Sequence, residues 1–162
     1  MMILIIDANI LIAELLRQRG RELLRNRQLS IYAADKVLEE TNYEIQKRIS
    51  HMVTTGKLSR EAGADLTQAA FQLLETCTIN VPQVKYSYLE IEAKERIPRD
   101  PDDWHTVALA IHLNTAIWTQ DNDFLGCGCP CWTTDTLISQ RRSWHGKCRL
   151  QYVPTRNLRS AA

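Results

Sequence analysis

MILIID, residues 2–7, runs apolar for five positions and then stops at an acid. An unbroken apolar run of this length suits a strand buried on both faces, as in a parallel sheet, because a half-solvated strand would alternate. The segment has no basic leader, so it reads as a first strand rather than a secretory signal. A helix is expected directly after it through NILIAELLRQ, then a basic helical stretch, RGRELLRNRQ, and a short strand around LSIYA. From Asp35, DKVLEETNYEIQKRISHMV places Leu38, Thr41, Ile45, Ile49 and Met52 at steps of three and four, the period of a helix with one buried face. Gly56 breaks this helix and Ser59 caps the next, REAGADLTQAAFQLLETC, with Ala62, Leu66, Ala69, Ala70, Leu73 and Leu74 inward. A short strand at TINVP, a helix around YLEIEAKERI, a helix from Pro101 to His112, a strand at TAIWT and a last strand at CWTT complete the series. Strands alternating with helices predict an α/β fold with a mainly parallel sheet.

With 162 residues, 44% hydrophobic and 24% charged, the chain is sized for one domain with its own core. It lacks the apolar run of roughly 20 residues that crosses a bilayer, so no membrane association and a cytoplasmic location are expected. All 19 acids lie within residues 1–135, whereas residues 136–162 carry six Lys or Arg and no acid. This separates a domain over 1–140 from a basic C-terminal tail over 141–162. The tail's Arg141, Arg142, Lys147 and Arg149, with Arg21 and Arg25 of the basic helical stretch, read as contacts for a polyanion such as RNA. The five cysteines form an odd set without a secretory context and are expected as free thiols. CGCPC, residues 127–131, has one-residue spacings and no matching Cys/His pair, so it reads as a Gly/Pro-rich turn and not as a zinc knuckle.

The acids carry the chemistry. In RDPDDWHTVALA, residues 99–110, Asp100 suits an N-cap, Pro101 the first helical position, and Asp102 the positive end of the helix dipole. Capping does not account for Asp7 and Asp121 as well, each closing a buried strand, with Asp123 two residues further on. In parallel α/β sheets, ligands bind outside the carboxyl ends of the strands, so these acids and Asp103 are expected on one rim. Carboxylates about 4 Å apart repel by roughly 4 kcal/mol at an effective dielectric near 20, and no Lys or Arg stands beside Asp7, Asp121 or Asp123 in sequence. A hard divalent cation, Mg²⁺ or Mn²⁺, is the natural counter-charge. Such a rim without a covalent nucleophile points to phosphodiester hydrolysis by metal-activated water.

LIIDANILI, LEETNYEI, DDWHTVALA and WTQDNDF, in this order and approximate spacing, resemble the PIN-domain nucleases, the group that includes VapC-type toxins of toxin–antitoxin pairs. The resemblance spans roughly residues 3–135. It implies a three-layer α/β/α sandwich with a central mainly parallel sheet, and Mg²⁺- or Mn²⁺-dependent cleavage of RNA. It assigns the catalytic acids to Asp7, Glu40, Asp103, Asp121 and Asp123, the metal ligands to Asp7, Asp103, Asp121 and Asp123, and supporting roles to Asn9 and Thr119. Helical phase by itself leaves Glu39, Glu40 and Glu44 open; the resemblance selects Glu40. For a toxin it further implies an antitoxin whose segment covers the acidic rim, and a homodimer formed through surface helices.

Other readings make different demands. A histidine ribonuclease needs two cooperating imidazoles, for which His105 and His112 are the pair. An aspartate-nucleophile phosphatase expects a second Asp where this chain has Asn9. A non-catalytic RNA-binding PIN-like protein would keep the acids without cleavage, and an RNA-processing nuclease would cleave without an antitoxin.

Overall fold

The computed structural model describes residues 1–140. Its strands are β1 (Met2–Ile6), β2 (Leu29–Ala34), β3 (Thr78–Val81), β4 (Ala116–Trp118) and β5 (Cys131–Trp132). They form one sheet of order β3-β2-β1-β4-β5 in which every pair is parallel. The opening apolar run is the central strand: Ile5 lies between Tyr32 of β2 and Ile117 of β4, and Leu4, Ile5 and Ile6 are fully buried.

The helices are α1 (Ala8–Leu16), α2 (Gln18–Leu24), α3 (Asp35–Thr54), α4 (Arg60–Cys77), α5 (Glu90–Arg96) and α6 (Trp104–His112), with a further helical segment over 134–140. Right-handed crossovers decide the layers. The chain steps outward from β1 to β2 to β3, so α1, α3 and α4 share one face, where they pack against one another. It then returns across the sheet to β4, and α5 and α6 cover the other face. The result is the expected three-layer α/β/α sandwich.

Differences from the sequence reading are local and have visible causes. CWTT does not continue as a strand: Thr133 and Thr136 exchange amide-to-hydroxyl hydrogen bonds of 2.9 and 3.2 Å, a reciprocal cap that turns the chain into the segment 134–140. The helix expected from Pro101 begins as a 3-10 turn over Pro101–Asp103, because the Asp100 carboxylate accepts the Asp102 amide and tightens the entry. The second basic stretch is helical only to Leu24; beyond it Asn26 accepts the Gln28 amide in a turn. On α4, Ala70, Leu73 and Leu74 are buried, while Ala62, Leu66 and Ala69 are half-buried. The tail residues Arg141, Arg142, Lys147 and Arg149 lie outside the described residues.

One core position invites a stability test. Among the described residues, Thr41 Oγ1 on α3 is the single buried side-chain polar atom without a hydrogen-bond partner. An unsatisfied buried hydroxyl costs on the order of 1 kcal/mol, and valine has the same shape without it. Thr41→Val is therefore expected to raise unfolding free energy by about 1 kcal/mol in urea titration; equal or lower stability would show that the hydroxyl is satisfied in solution.

Candidate functional site

Strand order reverses between β1 and β4, which leaves a crevice beyond their carboxyl ends. Asp7 leaves β1 there, and its amide donates to the Trp118 carbonyl of β4 at 3.1 Å, so the two strand ends are fixed together. Its side chain is 1% exposed and accepts from Thr119 Oγ1 at 3.2 Å. The same hydroxyl accepts the Asp121 amide at 2.9 Å, and Asp121 Oδ1 accepts the Asp123 amide at 2.9 Å. Thr119 thus positions the acids of both strands.

Two strand-end acids, Asp35 and Asp7, are held in different ways. Asp35, after β2, accepts from the Gln83 amide at 3.0 Å and Tyr86 Oη at 2.9 Å. Burial pushes its pKa up, but these donors and the Lys36 amide outweigh it and leave Asp35 below the ordinary carboxylate value. Asp7 occupies the N-cap position of α1 yet makes no capping hydrogen bond. Burial lifts it to about 6; Thr119 and the amide dipoles of Asn9 and Ala8 draw it back, and Asp121 adds to the rise. A charge held in this way is not there for stability.

Asp103, on the turn into α6, is where the other acids meet. Burial first, then the fields of Asp7, Asp100, Glu40 and Asp121, raise it to about 7. The structure thereby gathers Asp7, Glu40, Asp103 and Asp121 from β1, α3, the α6 entry and the end of β4. Glu40 is exposed on the open side of this group. Asp123 stands apart from it, its Oδ1 3.0 Å from Arg99 Nη1, an ion pair the sequence reading did not foresee. Asp100 also joins the acidic field besides capping.

A cleft of about 350 Å³ opens beside these acids, lined by Asp7, Asn9, Gln120 and Asp121. Gln120 also borders an adjoining cavity of about 150 Å³ that contains Arg17 and Arg19. Arg17 and Arg19 line this second cavity, Arg19 paired with Asp135 at 3.0 Å, and sequence reasoning passed over them in favour of Arg21 and Arg25. Arg21 donates to the Leu15 carbonyl at 3.0 Å and closes the end of α1, while Arg25 is exposed at the end of α2. His105 and His112 do not act together: His105 Nδ1 faces Tyr86 Oη at 3.4 Å, and His112 Nδ1 faces Tyr88 Oη at 3.1 Å.

The donor set suits a hard cation, being all carboxylate with mutual repulsion that a divalent ion would relieve. The acids converge as a rim rather than a closed shell: among the described residues, no three His, Cys, Asp or Glu side chains stand close enough to hold a metal ion as they are. The charge cost at Asp7 is measurable without any metal. Its folded pKa lies above the 3.8 of the free side chain, so the contribution of Asp7 to stability is greatest below pH about 4 and is lost as pH rises through about 6. At pH 8 in chelator, Asp7→Asn is expected to be more stable than wild type by about 3 kcal/mol, at 1.36 kcal/mol per pKa unit. The gap should vanish near pH 3.5; a variant less stable than wild type at pH 8 would contradict it.

Comparison with known proteins places this arrangement. The crystal structure of PAE2754 from Pyrobaculum aerophilum is similar to the chain with a TM-score of 0.62 and 17% identity, over 88% of this chain and 90% of that one. FitAcB from Neisseria gonorrhoeae is similar with a TM-score of 0.50 and 15% identity, over 81% of this chain and 96% of that one. At these identities the likeness is one of fold. No curated protein sequence matches the chain. No helix among the described residues is long and apolar enough to cross a membrane. The family model of the PIN domain matches residues 5–142, from inside the first strand to past the last described helical turn. With acids, switch point and match spanning the same stretch, the chain belongs to the PIN-domain family, a nuclease fold.

Proposed function

We propose that this PIN domain is a Mg²⁺- or Mn²⁺-dependent endoribonuclease. The observation that carries the reading is a buried Asp7 with no capping role, set against Asp103, Glu40 and Asp121 at the sheet's switch point. Asp7, Asp103 and Asp121 would hold the ion, with Asp123 turned to Arg99, and the chemistry of the ion when bound is to acidify water at neutral pH and neutralise charge on the phosphodiester.

The remaining work belongs to side chains. Thr119 fixes Asp7 and the Asp121 backbone in one orientation, and Asn9 borders the cleft where the scissile phosphate would sit. Glu40, exposed beside Asp103, would accept a proton from the attacking water. Arg17, Arg19 and Arg25 supply sequence-independent attraction for the RNA backbone, extended by the basic tail. Antitoxin binding over the rim and a homodimer complete the reading if the chain is a toxin.

Incubating the protein with single-stranded and hairpin RNAs in Mg²⁺, Mn²⁺ or chelator tests this. Internal cleavage with either metal and none in chelator is expected. Chelator-indifferent cleavage would overturn the metal dependence, and metal-independent RNA retention without cleavage would identify a non-catalytic binding protein.

A further inference from the structure

Helix α1 carries a stripe that runs on past the acids. Asp7, Ile10, Glu14 and Arg17 stand at steps of three and four and so share one helix face. Asp7 and Ile10 line the cleft of about 350 Å³, Glu14 and Arg17 line the adjoining cavity of about 150 Å³, and Gln120 borders both. The two hollows form one trough along α1. In it Glu14 lies about 10 Å beyond Asp7, at a helical rise of roughly 1.5 Å per residue.

Glu14 is the residue of this trough that the acidic rim does not use. It is 2% exposed, and a carboxylate at that depth is unfavourable unless donors satisfy it. Thr134 Oγ1 donates to Oε1 at 2.8 Å, and Glu14 forms no ion pair among the described residues. Oε2 is left without a donor there. Since Thr41 Oγ1 is the one fully enclosed side-chain polar atom lacking a partner among these residues, Oε2 opens onto the cavity that Glu14 lines. Gly20 of α2 leaves room for it: a β-carbon at Gly20 would overlap Oε2 and the Glu14 carbonyl oxygen. The relay from Trp118 through Thr134 needs one acceptor, which a glutamine would also supply, so the second oxygen has no structural task.

Its neighbours define what fits. Arg17 pairs with no acid among the described residues, whereas Arg19 is held by Asp135 at 3.0 Å, and the Gln120 amide both donates and accepts. A ligand must therefore give N–H groups to Glu14 and an anion to Arg17. A metal ion or a cationic side chain meets Arg17 with like charge, and a free anion meets Glu14 with like charge. A nucleotide satisfies both, with a neutral base edge and a phosphate. The cavity is about half the roughly 300 Å³ at which small-molecule sites begin, so it takes one ring system and leaves the sugar and phosphate to the cleft. Guanine presents two adjacent donors, N1–H and the 2-amino group, with O6 beside them as an acceptor. Adenine and cytosine set an unprotonated ring nitrogen next to the amino group, and uracil has a single N–H between two carbonyls. Resting on the reading of this chain as an RNA-cutting PIN domain, we propose that this cavity is a guanine pocket. Glu14 accepts from N1–H and the 2-amino group of an unpaired base next to the scissile phosphate, Gln120 donates to O6, and Arg17 holds the neighbouring phosphate.

Fluorescence anisotropy of the full-length protein in chelator, with labelled uridine pentanucleotides carrying G, A, C or U at the centre, reads this without metal or turnover. The G-centred RNA should bind at least about tenfold tighter than the other three, the scale of one two-donor base contact. Inosine at the centre, which lacks only the 2-amino group, should lose most of that preference. Glu14→Gln keeps an acceptor for Thr134; it should melt close to wild type, bind the all-uridine RNA as wild type does, and bind the G-centred RNA no tighter. Arg17→Ala should weaken all four alike. Equal binding of the four RNAs by wild type, a preference for another base, or a guanine preference that survives Glu14→Gln would overturn the pocket and leave the nuclease reading standing. A guanine preference lost in Glu14→Gln, in a protein that cleaves no RNA, would keep the pocket and remove the nuclease reading; failure to bind any of the RNAs would overturn both. If Glu14→Gln does not fold, the wild-type panel with inosine decides.

Discussion

Asp7→Asn is expected to lower the kcat/KM of RNA cleavage by at least about 1000-fold with either Mg²⁺ or Mn²⁺. That corresponds to about 4 kcal/mol of transition-state stabilisation, the scale on which a lost metal ligand acts. Asp7 is the buried anchor of the rim, and an amide at its place offers no negative charge to a cation. The variant should fold and, in chelator, melt above wild type, so loss of cleavage is separated from loss of structure. It should also lose any thermal stabilisation that Mn²⁺ gives wild type, a binding readout independent of turnover. Asp123→Asn provides the contrast: Asp123 already faces Arg99, and its loss should cost no more than about tenfold. Cleavage by Asp7→Asn at the wild-type rate would remove the acidic rim from the mechanism.

Thr134→Val should be the most destabilising conservative change in the described core, at about 3 kcal/mol. Trp118 Nε1 donates to Thr134 Oγ1 at 3.1 Å, and that hydroxyl donates to Glu14 Oε1 at 2.8 Å. All three residues are buried, so valine strands an indole N–H and a carboxylate oxygen together. Each unsatisfied buried group costs about 1–3 kcal/mol. Equilibrium denaturation with guanidinium measures the difference, with Thr134→Ser as the variant that retains the relay and loses only a methyl group. A Thr134→Val protein within about 0.5 kcal/mol of wild type would mean that water replaces the hydroxyl.

The centre of the sheet was legible because β1 and β4 are unbroken apolar runs, MILII and AIW. Asp7, Asp103 and Asp121 were expected on one rim because capping does not account for all of these acids together, and in the structure Asp7 and Asp121 do act on Asp103. Even so, Asp35 after β2 has the same local appearance and turns out to be fully engaged by Gln83 and Tyr86, partners 48 and 51 residues away. The Asp123–Arg99 pair and the cavity shared by Gln120, Arg17 and Arg19 were hidden for the same reason. Such contacts depend on which loops come together above the sheet, and helical or strand periodicity carries no information about that. In the cysteine turn the residue spacing was plain, but the left-handed conformations of Gly126 and Gly128 are ones the sequence permits without requiring.

The bond between Thr119 and Asp7 spans 112 residues of chain. During synthesis, Asp7 is made well before β4 and its acids, which come after β2, β3 and every helix through α6. Until then β1 has β2 as its only neighbour and the cleft has one wall. A partly synthesised chain that has not yet reached β4 therefore holds Asp7 without Thr119 to orient it and without the second wall of the cleft.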